Sequence, residues 1–342
     1  MLKNKITIKD VALACGVSQT SVSLVLNNRK NNISEKTKKL IKSVANELGY
    51  IPNHSARSLA TNKTNTIGIV IPDLSNTFFA EAVRVIQIEL HKYGYDSLLC
   101  NSEEKYENDL KYIRLLSNRN VDGLIFTMSA ESMISKNQEN IKKILKQMTI
   151  PYILFDRYYN GDDSKVYVDN FQSGFEMVDF LINHGHQKIG FITGPMNLNS
   201  SIGRLEGAKK AFHDNNLIFD DSLIFHGKYD VDSGREGAKY LLHKVSSIFA
   251  FNDLMALGVI DYAKQNSFNI PNDVSLAGFD DIIYSSMLDP SLTTMKQPIE
   301  KMSKKLCSLL IKKIENPNYH ESISFKAKLI KRSSVLNKTE NK

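Results

Sequence analysis

From residue 65 onward, short runs of apolar residues alternate with longer stretches in which apolar residues recur every three or four positions. The short runs predict buried strands, and the longer stretches predict amphipathic helices. Strands are predicted at 66–71, 96–100, 123–126, 152–155, 188–193, 222–225, 247–250 and 275–278. Helices are predicted between them at 79–93, 107–118, 137–147, 172–184, 203–215, 233–243 and 253–265. This alternation predicts an α/β fold with doubly wound parallel sheets, and two successive sets predict two lobes.

The N-terminal segment before these runs shows helical spacing instead. Thr7 can cap a first helix, and Asp10 is an acid of the kind that suits a helix N-terminus. Gly16 then interrupts the pattern, because glycine readily adopts the left-handed conformation of a tight turn. Ser18 can cap a second helix at 19–26.

A third helix is predicted to begin at Ser34 and to end at Gly49. Two short helices about a glycine turn, with a third completing the core, are typical of a helix-turn-helix. Such a unit places the N-terminus of its second helix in the major groove of DNA. The alternative is a small three-helix module that packs against protein and does not bind DNA. The predicted apolar stripes are Val22, Val25 and Leu26 on the second helix, and Leu40, Ile41, Val44 and Leu48 on the third.

The positive charge of the chain is concentrated at its N-terminus. The 342 residues carry 44 Lys and Arg against 37 Asp and Glu, a net charge of +7. Residues 1–63 hold eleven of the basic and three of the acidic side chains, so the rest of the chain is close to neutral. A basic module on a near-neutral body is typical of a protein that contacts phosphates, although a solubilising or membrane-facing tail would carry the same charge. Short polar side chains in the first turn of the predicted second helix favour DNA binding.

Several classes of protein are excluded by what the sequence lacks. Cys15, Cys100 and Cys307 stand too far apart for a disulfide framework or a metal knuckle, which is typical of a reducing cytosol. No apolar stretch approaches the roughly 18 residues of a membrane span, and the basic N-terminus lacks the apolar block of a signal peptide. The sequence contains no phosphate loop, dinucleotide fingerprint, zinc-protease motif or serine-nucleophile motif. We therefore predict a cytoplasmic protein that is not an enzyme and holds no cofactor or metal.

Polar and aromatic side chains collect just after the predicted strands, where doubly wound folds bind their ligands. Aromatic rings beside carboxylates, amides and arginines are typical of a sugar site, because sugar C–H faces pack on rings and hydroxyls bond to charged groups. Each residue alone has an ordinary structural explanation, and only their recurrence at strand ends predicts a site. The candidates are Asn76, Phe78, Phe79, Asp156, Arg157, Arg204, Tyr229, Asn252, Asp280 and Gln297.

The string TIKDVALACGVSQTSVSLVLN at 7–27 resembles the headpiece of the lactose-repressor (LacI/GalR) family of transcriptional regulators. The family pattern is T-I-x-D-V-A, then A-G-V-S, then T-V-S-x-V-L-N. Cys15 and Ser21 depart from this pattern, in place of alanine and threonine. The next segment, LGYIPNHSARSLAT at 48–61, resembles the linker and hinge helix of the family.

The resemblance implies a role for each matched N-terminal residue. Gln19, Thr20 and Leu24 are expected to face the bases of DNA. In the hinge, Ala56 and Leu59 are expected to enter the minor groove, where a leucine wedge kinks the duplex. The further expected contacts to DNA are Asn53 in the hinge, and Thr7, Ser18, Ser21, Ser23 and Asn27, which would position the backbone.

The body of the chain resembles the regulatory domain of the same family, which is itself similar to periplasmic sugar-binding proteins. The resemblance rests on 185–195, 203–212, 249–259, 274–281 and 292–298. The ten candidate positions match those of ribose-binding proteins and ribose-operon repressors. Thr77 replaces the usual proline, and Tyr229 replaces the usual phenylalanine, so the hydroxyl of Tyr229 needs a partner or a different ligand. Ribose is therefore the expected effector, with another pentose or hexose as the alternative.

Residues and resemblance together predict a repressor of a ribose uptake or utilisation operon. It is expected to bind double-stranded operator DNA as a homodimer and to leave it when sugar closes the cleft between the lobes. The alternatives are a corepressor ligand, a catabolite-control regulator, a sugar-binding transport component and an enzyme on the same fold. The predicted domains are a headpiece at 1–49, a linker and hinge helix at 50–64, a core at 65–336 and a polar tail at 337–342. Within the core, the N-lobe is predicted at 65–161 plus 294–323 and the C-lobe at 162–293 plus 324–336.

Overall fold

A computed structural model describes residues 6–26, 31–50 and 63–339 of the chain. The chain divides into two units, Met1–Thr64 and Asn65–Lys342. None of the helices in these described stretches is long and apolar enough to cross a membrane.

Three helices form the first unit: α1 at Ile8–Cys15, α2 at Gln19–Leu26 and α3 at Glu35–Glu47. They confirm the predicted helix-turn-helix with its third packing helix. Gly16 separates α1 from α2 in the left-handed conformation, with a φ of 66°. The buried core shared by the three helices consists of Val11, Ala12, Val22, Val25, Ile41 and Ala45.

The predicted apolar face of α3 is wrong at two positions. Leu40 and Leu48 are 47% and 38% exposed, whereas Ile41 and Ala45 are buried. Neighbouring residues on a helix point about 100° apart, while residues four apart share a face. Leu40 therefore points away from the side of α3 that packs against the other two helices.

The second unit contains two six-stranded sheets. In the first sheet, every strand pair is parallel and the spatial order is β11-β5-β4-β3-β1-β2 when strands are numbered along the chain. Its strands are β1 at Thr66–Ile71, β2 at Asp96–Asn101, β3 at Gly123–Phe126, β4 at Tyr152–Phe155, β5 at Lys165–Val168 and β11 at Ser322–Phe325.

The second sheet has the order β12-β10-β9-β8-β6-β7, and its pairs are parallel apart from the antiparallel pair of β10 with β12. Its strands are β6 at Ile189–Thr193, β7 at Ile224–His226, β8 at Ser247–Ala250, β9 at Ser275–Asp280, β10 at Thr293–Lys296 and β12 at Lys328–Ile330. These two sheets confirm the predicted doubly wound, two-lobed architecture.

Helices connect the strands of both sheets. Strands such as β3, β8 and β9 are buried along their whole length, because helices cover both faces of each sheet. The helices are α4 at Thr77–Lys92, α5 at Tyr106–Asn118, α6 at Ser135–Gln147, α7 at Asn170–Asn183, α8 at Asn199–Asp214, α9 at Val231–Leu241, α10 at Asp253–Gln265 and α11 at Ile299–Glu315.

The chain crosses between the sheets, and these crossings correct the predicted lobe boundaries. β5 pairs with β4, so 165–168 lies in the N-lobe rather than the C-lobe. β10 pairs with β9, so 293–296 lies in the C-lobe, where the prediction already began an N-lobe segment at 294. β11 pairs with β5 and keeps 322–325 in the N-lobe, past the predicted end at 323. Pairing between distant strands decides membership of a sheet, and the periodicity of one short segment does not reveal it.

Candidate functional site

Short side chains of the first unit cap the N-termini of α1 and α2. The Asp10 carboxylate accepts hydrogen bonds from the backbone N–H of Thr7 at 2.8 Å and from its hydroxyl at 2.7 Å. These bonds lower the pKa of Asp10. The Ser18 hydroxyl accepts a hydrogen bond from the backbone N–H of Ser21 at 3.1 Å, which caps α2 as predicted.

The polar first turn of α2 forms an exposed surface. Gln19 and Thr20, predicted to face bases, are both exposed, and Leu24 is half-buried. Among the predicted backbone contacts, Thr7 and Ser18 are exposed, and Ser21 and Ser23 are half-buried. Four further predicted contacts lie outside the described residues, namely Asn27, Asn53, Ala56 and Leu59.

In the second unit, one cavity between the lobes is lined by all ten residues predicted for a sugar site and by Ser200. Most of the ten stand at or shortly after the carboxyl ends of strands of both sheets, whereas Arg204 lies within α8. The cavity encloses about 20 Å³, close to the volume that a single water requires, so a monosaccharide fits only if the lobes separate. The ten are Asn76, Phe78, Phe79, Asp156, Arg157, Arg204, Tyr229, Asn252, Asp280 and Gln297.

Two asparagines of the cleft also cap helices. The Asn76 side-chain oxygen accepts a hydrogen bond from the backbone N–H of Phe78 at 3.1 Å and caps α4. The Asn252 oxygen accepts one from the N–H of Met255 at 3.0 Å and caps α10, while its amide donates to the carbonyl of Tyr229 at 3.0 Å. Capping orients both amides rigidly at the mouth of the cleft.

Arg157 is buried and tightly paired on the N-lobe side. Its guanidinium donates to both carboxylate oxygens of Glu104, at 2.7 and 2.8 Å, and to the carbonyl of Met128 at 3.0 Å. It also lies 5.5 Å from the centre of the Phe79 ring. This bidentate pair orients Arg157 and neutralises its charge. Glu104 was missed by the sequence analysis, although it follows β2 and so stands at a strand end.

Arg204 is the corresponding buried cation on the C-lobe side. Its guanidinium lies 3.4 Å from the centre of the Phe279 ring. Its Nε donates to the side-chain oxygen of Asn170 at 2.9 Å, and its Nη1 donates to the carbonyl of Phe251. Stacking and hydrogen bonds together hold the guanidinium in one orientation. Asn170 was not predicted, because it follows β5, a strand that the sequence analysis did not predict.

Two buried carboxyl groups line the cavity, Asp156 from the N-lobe and Asp280 from the C-lobe. They are only 6% and 5% exposed. Asp280 accepts a hydrogen bond from the Gln297 amide at 2.7 Å, while the Gln297 side-chain oxygen has no partner in the described part of the chain. Burial raises the pKa of Asp280 to about 8, against the opposing effect of Arg204. Burial also raises the pKa of Asp156. Both aspartates have positive φ angles, a strained backbone that clusters at functional sites.

The hydroxyl of Tyr229 has protein partners in the cleft. It lies 2.8 Å from the Ser201 hydroxyl and 3.2 Å from the Ser200 hydroxyl. Both serines lie in the first turn of α8, which begins earlier than predicted, so they were missed. The ring lies against Gly194, where an added Cβ would stand 2.1 Å from a ring carbon. Thr77, which stands where ribose-binding proteins usually have proline, has a buried hydroxyl without a partner among the described residues.

The cleft therefore combines aromatic rings with oriented donors and acceptors from both lobes. The described residues contain no group of three or more side chains suited to a metal ion. Such a surface can bind a small polyhydroxyl compound, since rings take its C–H faces and polar groups take its hydroxyls.

The sequence matches two family models and many known proteins. Residues 7–53 match the bacterial regulatory proteins of the lacI family, and residues 178–335 match a periplasmic binding protein-like domain. The HTH-type transcriptional regulator DegA of Bacillus subtilis (strain 168) is 36% identical over 87% of this chain and 88% of its own. The HTH-type transcriptional repressor PurR of Vibrio atlanticus (strain LGP32) is 30% identical over 96% and 98%. Catabolite control protein A of Priestia megaterium is 35% identical over 93% and 95%.

Solved structures show the same architecture. The lac repressor dimer bound to operator and the anti-inducer ONPF has a TM-score of 0.87 over 97% of this chain and 100% of its own, at 23% identity. A LacI family transcriptional regulator from Enterococcus faecium with bound ribose has a TM-score of 0.70 over 80% and 99%, at 28% identity.

Proposed function

The chain belongs to the LacI family of ligand-regulated, DNA-binding transcriptional repressors, and we propose that it controls a ribose uptake or utilisation operon as a cytoplasmic homodimer. The observation that carries this proposal is the convergence of ten ribose-type residues on one cleft. The ribose bound to a family member that is 28% identical supports the same class of effector. We propose 1–49 as the operator-reading headpiece and 50–64, with Asn53, Ala56 and Leu59, as the hinge that enters the minor groove.

Charge pairing around the cleft favours a neutral sugar over a sugar phosphate. The guanidinium of Arg157 is already matched by Glu104 in a bidentate pair. Arg204 interacts electrostatically with both Asp156 and Asp280. A phosphate dianion would therefore meet carboxyl groups but no cation that is still free to pair with it. The cost of removing water from the phosphate would then not be offset.

In the proposed complex, Phe78 and Phe79 pack against the C–H face of the sugar. The carboxyl groups of Asp156 and Asp280 form hydrogen bonds with sugar hydroxyls, and leaving such a buried partner unpaired costs about 1–3 kcal/mol. Because the cleft holds so little space, sugar enters an open form and the lobes close on it. That closure would change how two copies pair and weaken operator binding, by about 1–3 kcal/mol of coupling. The remaining proposed hydrogen bonds come from Asn76, Arg157, Arg204, Tyr229, Asn252 and Gln297.

Operator binding titrated with ribose and a panel of other sugars, at one fixed salt concentration, tests this function. Fixed salt is needed because phosphate contacts make affinity depend steeply on ionic strength. Release of DNA by ribose supports the proposal. Tighter binding in the presence of a small molecule, such as a purine, would instead favour a corepressor as the ligand. No response to any small molecule would favour a partner-dependent regulator, such as a catabolite-control protein.

An exposed apolar patch on the C-lobe is the proposed core of the dimer interface. Ile283, Tyr284 and Met287 are 66%, 50% and 72% exposed. The Asp253 carboxylate holds this segment in place by accepting a hydrogen bond from the Ser285 hydroxyl at 2.6 Å. A fixed cluster of exposed large apolar side chains is typical of a protein interface.

Met287→Asp is expected to convert the dimer to a monomer, because it places a charge inside the proposed contact. Operator affinity should fall at least tenfold, since each monomer then binds one half-site alone. Analytical ultracentrifugation and fluorescence anisotropy measure the two effects. Ile218→Asp is the control, because Ile218 is also apolar and 92% exposed but lies on another loop. A Met287→Asp protein that stays dimeric contradicts the proposed interface.

Gln19→Ala is expected to weaken binding to the preferred operator by about 1–3 kcal/mol and to relax selectivity at one base pair. Gln19 is exposed in the first turn of α2 and caps no helix, so the fold of the first unit should not change. Anisotropy against an operator set with single-base changes gives the measurement. Equal weakening on every sequence would show that Gln19 contacts only the DNA backbone. Sugar binding serves as the control and should be unaffected.

A further inference from the structure

A second cavity lies in the N-lobe at the edge of the first sheet opposite the cleft. It encloses about 320 Å³, within the range of small-molecule pockets. Tyr152, the first residue of β4, lines it, whereas the other end of that strand leads to Asp156 in the cleft. Its apolar wall includes Leu145, Met148 and Ile150. The two cavities share no lining residue.

A buried lysine without a hydrogen-bonding partner lines this second cavity. Lys313, on α11, is only 6% exposed. In the described part of the chain its ammonium makes no hydrogen bond or ion pair, lies 5.0 Å from the centre of the Tyr152 ring, and is reached by solvent in the cavity rather than sealed from it. Burial lowers the pKa of Lys313. A lysine that is largely buried and lacks a paired anion costs stability, because its charged form is only partly solvated.

The nearest buried carboxylate, that of Asp163, is engaged through one oxygen, while its other oxygen is buried with no partner among the described residues. Asp163 is 9% exposed, and one of its oxygens accepts a hydrogen bond from the Tyr152 hydroxyl. That hydroxyl also lies 3.3 Å from the Tyr159 hydroxyl. Asp163 therefore belongs to a tyrosine network and acts on Lys313 only through space. Its negative charge still limits how much further negative charge the cavity can accept.

We propose that this cavity is a second ligand site, which binds a small organic monocarboxylate through the ammonium of Lys313. Lys146 and Lys313 balance Asp162 and Asp163 in the lining, and the partnerless ammonium of Lys313 can form a strong charge-assisted hydrogen bond with one carboxylate. The nearby Asp163 disfavours a dianion such as a phosphate. The apolar wall of Leu145, Met148, Ile150 and Pro151 suits a hydrocarbon body attached to the carboxylate. This site does not depend on the function proposed for the cleft.

Isothermal titration of the full-length protein with acetate, butyrate, hexanoate and benzoate tests the proposal, with sodium chloride and inorganic phosphate at equal ionic strength as controls. At least one carboxylate is expected to bind saturably and to raise the melting temperature, as any ligand of the folded state does. Saturable binding of none of the four, or equal binding of inorganic phosphate, overturns the proposal.

Lys313→Met identifies the site, since methionine keeps the length of the side chain and removes the charge. In the absence of ligand, this variant is expected to melt at a higher temperature than wild type. It is also expected to bind the carboxylate at least tenfold more weakly. Lys143→Met, at an exposed lysine of α6, is the matched control and should bind like wild type. Ile150→Trp fills the cavity with Lys313 intact and should also block binding. Wild-type affinity in either cavity variant overturns the proposal.

Discussion

Asp280→Ala is expected to abolish ribose-dependent release of operator DNA while leaving sugar-free operator affinity within about twofold. Asp280 is buried at the end of β9, with its carboxyl group at the cleft and bonded to Gln297. Losing this acceptor should weaken ribose binding by about 3 kcal/mol, or roughly 100-fold. The proposed operator-reading surface lies in the first unit and not in the cleft, so sugar-free DNA binding should persist.

Asp280→Asn is the matched variant, because it keeps the shape of the side chain and an oxygen that accepts hydrogen bonds but cannot ionise. It should bind ribose with an affinity between those of wild type and Asp280→Ala. Anisotropy with labelled operator and titration calorimetry with ribose separate the response from the binding. A full ribose response in Asp280→Ala would place the effector site elsewhere in the molecule.

The pH dependence of stability gives a second measurement on the same carboxyl. Burial raises the pKa of Asp280 to about 8, so the folded protein favours the protonated form. Its stabilising contribution is complete below its ordinary pKa of 3.8 and is lost as the pH rises toward 8. Asp253, with a pKa raised to about 6, acts in the same direction over a narrower range. The melting temperature of sugar-free wild type should therefore fall between pH 5 and 8, and fall less in Asp280→Ala.

Gly207→Ala is expected to destabilise the second unit by about 3 kcal/mol. A Cβ at Gly207 would lie 2.0 Å from the carbonyl oxygen of Phe171 and 2.7 Å from the backbone nitrogen of Phe175. These are backbone atoms of α7, which cannot rotate aside, so α7 and α8 would have to separate. Separation would also break the bond between Arg204 on α8 and Asn170 on α7, and weaken ribose binding.

Urea denaturation followed by circular dichroism measures the loss in Gly207→Ala. Glu206→Ala is the control, because Glu206 is exposed on the same helix and its truncation should change stability by less than about 0.5 kcal/mol. A loss below about 1 kcal/mol in Gly207→Ala would mean that the two helices can move apart at little cost.

Much of the fold follows from local patterns. The runs at 66–71 and 247–250 become β1 and β8 because buried strands must be apolar on both faces. Ser18 and Ser34 begin α2 and α3 because their hydroxyls satisfy free backbone N–H groups. β5, β10, β11 and β12 were not predicted, because they are short and acquire stability only from the strands that they join.

The ten cleft residues could be predicted because strand-end position is visible in the sequence and because the resemblance to ribose-binding proteins matches the same positions. Their partners were less visible. Glu104 and Asn170 bond to Arg157 and Arg204 from points far away along the chain. The sequence did not show which groups bond to the hydroxyl of Tyr229, and the structure shows that these are the hydroxyls of Ser200 and Ser201. The predicted burial of Leu40 was wrong, because an apolar residue on a short helix can point to solvent without disturbing the apolar periodicity.

The sequence by itself determined the two kinds of unit, the α/β alternation and the residues at the strand ends, because these are local properties of neighbouring residues. Only the tertiary structure decided the sheet that each late strand joins, the pairing of both buried arginines and the close approach of α7 to α8 at Gly207. It also decided that Lys313 is buried beside a cavity. Those features depend on atoms that are distant along the chain and meet only after folding, so no pattern within one segment encodes them.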